Sequence, residues 1–184
     1  MGKTFETIND KLAAFIGDQQ MFFVASAPLS GDGLVNLSPK GLFDLRILDP
    51  LTVVYLDLTG SGAETIAHVK ENGRLVIMFC AFDQAAKVLR LHGRGEVVEN
   101  GDEEFDELRA LFPETVGLRS FIKLHVEHIA DSCGWGVPLY EYQGQRDTYP
   151  RYVEQKGAEG IRKGQLKSNM TSLDGLPALR APSV

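Results

Sequence analysis

Three groups of side chains in this sequence combine hydroxyls or amides with cations: Asn36, Ser38 and Lys40; Thr59, Ser61 and Thr65; and Arg90, His92 and Arg94. Hydroxyl and cationic donors together form the set that a phosphate dianion requires. The middle group has the most suggestive setting. An apolar run from Leu51 to Leu58, rich in strand formers, empties into Thr59-Gly60-Ser61-Gly62, and a short helical pattern follows with Ile66 and Val69 on one side. A helix N-terminus presents unpaired backbone N–H groups and the positive end of a dipole, which suits an anion. Ser61 with Glu64 three residues on reads as a capping box, and Asn72-Gly73 as a stop signal. Ser61 would fit equally well as a cap that binds nothing, since the stretch lacks both the Lys-Ser/Thr of a P-loop and the spacing of a dinucleotide fingerprint.

Other chemistries find less support. His125 and His128 lie three apart on a predicted strand, so they face opposite ways and cannot chelate one ion; no metal site is expected. His68 is expected to pack on its helix. Cys80 in an apolar run and Cys133 beside glycines form neither a disulfide framework nor a paired metal spacing, and reduced thiols are expected. Cys133 is accessible but has no evident base, which favours a structural part. No Ser-His-Asp order or nucleophile elbow occurs. Trp135, flanked by Gly134 and Gly136, either stacks on a planar ligand or plugs a barrel end.

The elements that must hold these groups follow from periodicity. Phe5, Ile8, Leu12, Phe15 and Ile16 fall on one helical face within Thr4 to Gly17. Met21 to Ala27 and Leu34 to Pro39 read as a hairpin around Ser30-Gly31-Asp32-Gly33. Leu51 to Leu58 is the third strand. Arg74 to Phe82 is a fourth, apolar enough to predict burial on both faces. Ala86 to Val98 is a fifth, in which Gly93 and Gly95 predict a bulge or a sharp bend, and Phe121 to Ile129 is a sixth. A surface helix is predicted at Asp102 to Phe112 and a short one at Tyr149 to Gly157. Six strands with short helices between them predict a mainly β chain, a small closed or nearly closed barrel with flanking helices. Ser168 to Val184, with Leu173, Leu176 and Leu179 among Gly and Pro, reads as an arm lying on its own barrel or on a neighbour's. The organisation expected is therefore a barrel domain over residues 1–130 and a C-terminal arm over 131–184.

With 184 residues, 43% hydrophobic and 24% charged, the chain has the composition of an ordinary soluble protein. A net charge of −6 argues against nucleic-acid partners, so an anionic ligand must be small and held by a local basic cluster. No apolar run approaches the roughly 20 residues needed to cross a bilayer. The N-terminus shows no secretory or transit pattern, and a cytoplasmic location is expected.

The ordered motifs Val35-Asn36-Leu37-Ser38-Pro39-Lys40-Gly41, Tyr55 to Thr65, Arg74 to Phe82 and Leu89 to Gly95 resemble those of the pyridoxamine 5′-phosphate oxidase-like FMN-binding split barrels. Ser132 to Pro138 is similar to a downstream feature of one branch of that family. The resemblance implies a homodimer of six-stranded split barrels with FMN at the subunit interface. It places Ser38 and Lys40 near the flavin, and Thr59, Gly60, Ser61 and Thr65 at its phosphate. Arg90 would add a further cation, while Cys133 and Trp135, from either subunit, would line the ring. Relatives commonly carry a basic residue where this chain has Glu64, which leaves more of the phosphate charge to Lys40 and Arg90. The substrate-binding Arg and His residues of true pyridoxamine phosphate oxidases find no match in the C-terminal segment. The expectation is an FMN-dependent oxidoreductase acting on a small molecule; the alternatives are a non-catalytic flavin-binding or interaction module, or a split barrel holding haem or a deazaflavin.

Overall fold

The computed structural model describes residues 2–42 and 45–180. In chain order the elements are β1 (Thr4–Phe5), α1 (Asp10–Gly17), β2 (Phe22–Ser26), β3 (Asn36–Lys40), β4 (Arg46–Asp49), β5 (Thr52–Leu58), α2 (Glu64–Asn72), β6 (Arg74–Cys80), β7 (Lys87–Glu99), α3 (Phe105–Arg109), β8 (Leu118–Cys133) and α4 (Thr148–Ser168). All strand pairs are antiparallel, in the order β3-β2-β6-β7-β8-β5-β4, with β1 also pairing β8. The fold is thus mainly β with peripheral helices.

The described residues hold eight strands rather than six. The two additions, β1 and β4, are too short to show an alternating pattern, and Phe5 was counted in the helical stripe. Asn9 fixes where the first helix starts: its side chain accepts the Leu12 N–H at 3.1 Å, so α1 begins at Asp10. The predicted surface helix shrinks to α3, with turns on either side.

The main core lies on the inner face of the sheet, where Val24, Ile77, Leu89, Leu91, Ile122 and Leu124 meet Ile66 and Val69 of α2 and Leu12 of α1. A smaller core on the other face joins Val54, Leu56 and Phe121 to Phe105, Leu108 and Phe112 around α3. Strand β5 and the adjoining Ser120–Leu124 stretch of β8 are therefore buried on both sides. Strand β6 alternates instead: Leu75, Ile77 and Phe79 are buried, while Val76 and Met78 are only half-covered, no element among the described residues packing over them. The predicted irregularity in β7 falls at His92/Gly93, where the register with β8 shifts and a Cβ on Gly93 would sit 1.9 Å from the His125 carbonyl oxygen.

Candidate functional site

Strand β5 carries one acid, Asp57, in an otherwise apolar run, and its carboxylate is completely buried. A buried carboxylate needs cations or hydrogen-bond donors. Asp57 has both: Lys40 Nζ donates to Oδ1 at 3.1 Å, and Arg119 Nε and Ser120 Oγ donate to Oδ2 at 2.5 Å and 3.3 Å. Burial pushes the Asp57 carboxyl up, but Lys40 and Arg119 outweigh it and hold it below its usual range. Arg119 Nη1 also donates to Gly62 O at 2.7 Å, tying the cation to the turn that leads into α2.

Above this triad opens a cavity of about 720 Å³ lined by Asn36, Ser38, Lys40, Gly60, Ser61, Gly62, Glu64, Thr65, Arg119, Lys167, Ser168, Thr171, Ser172 and two leucines. That volume falls within the roughly 300–1,000 Å³ of small-molecule sites. Strand β3 contributes Ser38 and Lys40 because the register Ser38↔Val24 and Lys40↔Phe22 points both to the inner face, beside core residues. Strand β5 ends at Leu58, and the glycine turn after it delivers Ser61 and the first residues of α2. A hydrogen-bond chain fixes the wall: Ser38 Oγ donates to Asn36 Oδ1 at 2.9 Å, and Asn36 Nδ2 donates to Thr65 Oγ1 at 3.1 Å.

The cap of α2 differs from the sequence expectation. The N-cap is Ala63, and no side chain caps the helix. Glu64 does not bond back to Ser61; its two carboxylate oxygens accept the Leu173 N–H at 3.2 Å and 3.1 Å. The C-terminal segment, distant in sequence, takes the acceptor that a local pattern assigned to the cap. Ser61 is left on the cavity.

Of the nine residues singled out by sequence, Ser38, Lys40, Gly60, Ser61 and Thr65 meet at this cavity. Thr59 lies behind it: its N–H and hydroxyl donate to Gly117 O at 2.7 Å and 2.8 Å, and the hydroxyl accepts from Gln165 Nε2 at 2.7 Å. Arg90, Cys133 and Trp135 are not brought there. Arg90 shares a row with Met78, Phe23 and Pro39, the opposite face of the sheet from Lys40. Its Nη1 donates to Ser132 Oγ at 3.0 Å. Cys133 ends β8 opposite Lys87, and Trp135 stands 87% exposed in the following turn. Within this chain the second cation of the cavity is Arg119, not Arg90.

Arg119, Asp57 and Lys167 were not singled out by sequence. Asp57 carried a signal, a lone acid in an apolar strand. Arg119 lay just before the predicted start of the sixth strand, and a register shift at Asp57/Leu58 places it at the site. Lys167 arrives from the end of α4, in a second helical segment beyond the predicted one: Gly157 (φ 63°, ψ 171°) is non-helical and divides α4 into two helices at a kink.

The sequence also matches the family model described as pyridoxamine 5′-phosphate oxidase over residues 8–133. A protein of Aspergillus flavus described as pyridoxamine 5′-phosphate oxidase family protein ustO is 36% identical, over 96% of this chain and 78% of the relative. Among solved structures, HupZ of Group A Streptococcus superposes with a TM-score of 0.53 at 20% identity, over 68% of this chain and 99% of that chain. A pyridoxamine 5′-phosphate oxidase-related, FMN binding protein of Nostoc punctiforme gives 0.51 at 10% identity, over 74% and 89%. At such identities the superpositions speak for the fold.

Proposed function

This chain belongs to the pyridoxamine 5′-phosphate oxidase family, and from that premise we propose that it is a flavin-binding protein, specifically an FMN-dependent oxidoreductase acting on a small molecule. The observation that carries the reading is the donor set of the cavity: Lys40, Arg119 and Lys167 converge with the hydroxyls of Ser38, Ser61 and Thr65 at the N-terminus of α2. This set fits a phosphate monoester dianion. The Nostoc relative is described as FMN-binding, in keeping with such a ligand. A bound flavin would supply hydride or electron transfer. The chain's own residues hold and orient. Asp57 neutralises one of its two cations and fixes both at the cavity floor, so they need no reorganisation to meet an anion.

The proposal includes a homodimer. Phe23, Val76 and Met78 form a half-covered apolar strip on the outer face of the sheet, and Leu37 on the edge strand β3 and Val35 just before it are exposed. A second copy over this face would bury that surface and bring Arg90, Cys133 and Trp135 toward an intersubunit site. The absorption spectrum of the purified protein tests the cofactor: flavin bands, or their appearance on adding FMN, are expected. A colourless protein that takes up no added FMN would overturn the reading.

A further inference from the structure

Beside the cavity, three potential metal ligands meet: Glu64 and His68, one turn apart on α2, and Asp174 from the C-terminal segment. One ligand atom from each lies within 4.8 Å of the others. The imidazole of His68 is completely buried, and its Nε2 has no hydrogen-bond partner. The nearest acid, Asp174 Oδ2, stands 4.0 Å away, too far for a hydrogen bond. A buried ring nitrogen left unpaired is unfavourable, and such atoms in a folded protein ask for a missing partner.

We propose that Glu64, His68 and Asp174 bind a divalent first-row cation of the Zn(II) class, which clasps the C-terminal segment to α2. The surroundings match what such a site needs. His68 Nδ1 lies 3.0 Å from Ser26 Oγ; donation of the Nδ1 proton to that oxygen leaves Nε2 as a lone pair directed at the carboxylates. This is the outer-shell partner that orients a metal-bound histidine. The carboxylates are positioned by backbone donors, Glu64 by the Leu173 N–H and Asp174 Oδ2 by the Leu34 N–H at 3.0 Å. Each carboxylate has acceptor capacity beyond these bonds. Bonds of about 2.0–2.2 Å around a tetrahedral ion put ligand atoms about 3.4 Å apart, so small side-chain rotations close the site. One imidazole with two carboxylates is a mixed nitrogen and oxygen set, suited to zinc, with water in the fourth position.

The segment being clasped is anchored at its far end, where Ala178 is buried, Lys70 Nζ donates to the Ala178 carbonyl and the Arg180 N–H donates to Glu99 Oε1 at 2.6 Å; the stretch beside the site is less covered. A single bridge, Thr171↔Pro177, and the turn at Gly175 shape it, and its Leu173 is exposed. A cation here would also cancel the Glu64 charge on the cavity rim. That consequence rests on the flavin reading; the metal site itself does not.

The test uses the full chain, treated with EDTA, dialysed, free of flavin, and titrated with ZnCl₂ in a calorimeter. Uptake of one ion per chain is expected, with Asp174→Asn and Glu64→Gln each weakening it by about 100-fold or more, since even outer-shell losses cost about 10–100-fold. Both residues lie at the surface side of the site, and circular dichroism checks that the variants fold. Zinc should also slow proteolysis of residues 169–180 in the wild type and not in Asp174→Asn. Absence of saturable uptake by the wild type, or uptake that both variants leave unchanged, would overturn the proposal. Neither outcome bears on flavin binding.

Discussion

Asp57 organises the site by holding two cations that belong to different strands. Removing it leaves Arg119, whose side chain is 5% exposed, without its counter-charge. Loss of one partner from a buried ion pair costs about 3–5 kcal/mol, so Asp57→Ala should lose that much in urea denaturation; a loss below about 1 kcal/mol would show that the triad is not structural. The pH dependence has a definite sign. The folded pKa of Asp57 is depressed, so its stabilisation is complete above the unfolded value of about 3.9 and disappears as pH falls through the lower folded value. The unfolding free energy of the wild type should therefore drop with acid in that window, and Asp57→Asn should flatten the drop. Ser38, Lys40 and Ser61, which the sequence marked as donors on a strand or ahead of a helix, line the cavity. Arg90 looked equivalent to Lys40, since both stand on the polar side of their own strands. Alternation within a strand does not reveal which face of the sheet that polar side joins; the register does, and it separates the two.

Helix α4 and the segment after it form the outer wall of the cavity through contacts that span more than 100 residues of sequence. Gln165 holds Thr59, Asn169 Nδ2 donates to Gly60 O at 3.0 Å, and Lys70 Nζ donates to Ala178 O. No local periodicity announces such contacts, which is why the sequence marked an arm without its seat. Gly117, just before β8, lies against this wall. Gly117 has φ +101°, and a Cβ there would lie 2.4 Å from Tyr149 Oη. Gly117→Ala combines backbone strain with overpacking against α4, and should lower stability by about 1–3 kcal/mol. Hydrogen exchange should show the loss concentrated in residues 148–168, and an unchanged exchange pattern there would contradict the part given to this contact.

For the molecule as a whole, the alternating hydrophobic runs made the mainly β architecture readable, because strand periodicity survives in long elements such as β7 and β8. What sequence could not separate was apolar surface buried within the chain from apolar surface awaiting a partner. The run Arg74 to Phe82 suggested burial on both faces, and the structure covers only one. The proposed homodimer would cover the other: sedimentation equilibrium should give twice the chain mass, and Met78→Glu, placing a charge on the half-covered strip, should shift the protein toward monomer. A monomeric wild type would remove the proposed intersubunit placement of Arg90, Cys133 and Trp135. Among the described residues no helix is long and apolar enough to cross a membrane.

The claim on which the functional account turns is that the cavity above Asp57 holds the flavin phosphate. Fluorescence titration of flavin-free protein with FMN and with riboflavin isolates that phosphate. FMN should bind more tightly by at least about 1.5–3 kcal/mol, the worth of one charge-assisted hydrogen bond, which is about 10–150-fold in affinity. Lys40→Met should erase most of that difference while leaving riboflavin binding nearly unchanged. Equal affinities for FMN and riboflavin in the wild type, or a difference that Lys40→Met leaves intact, would contradict the assignment.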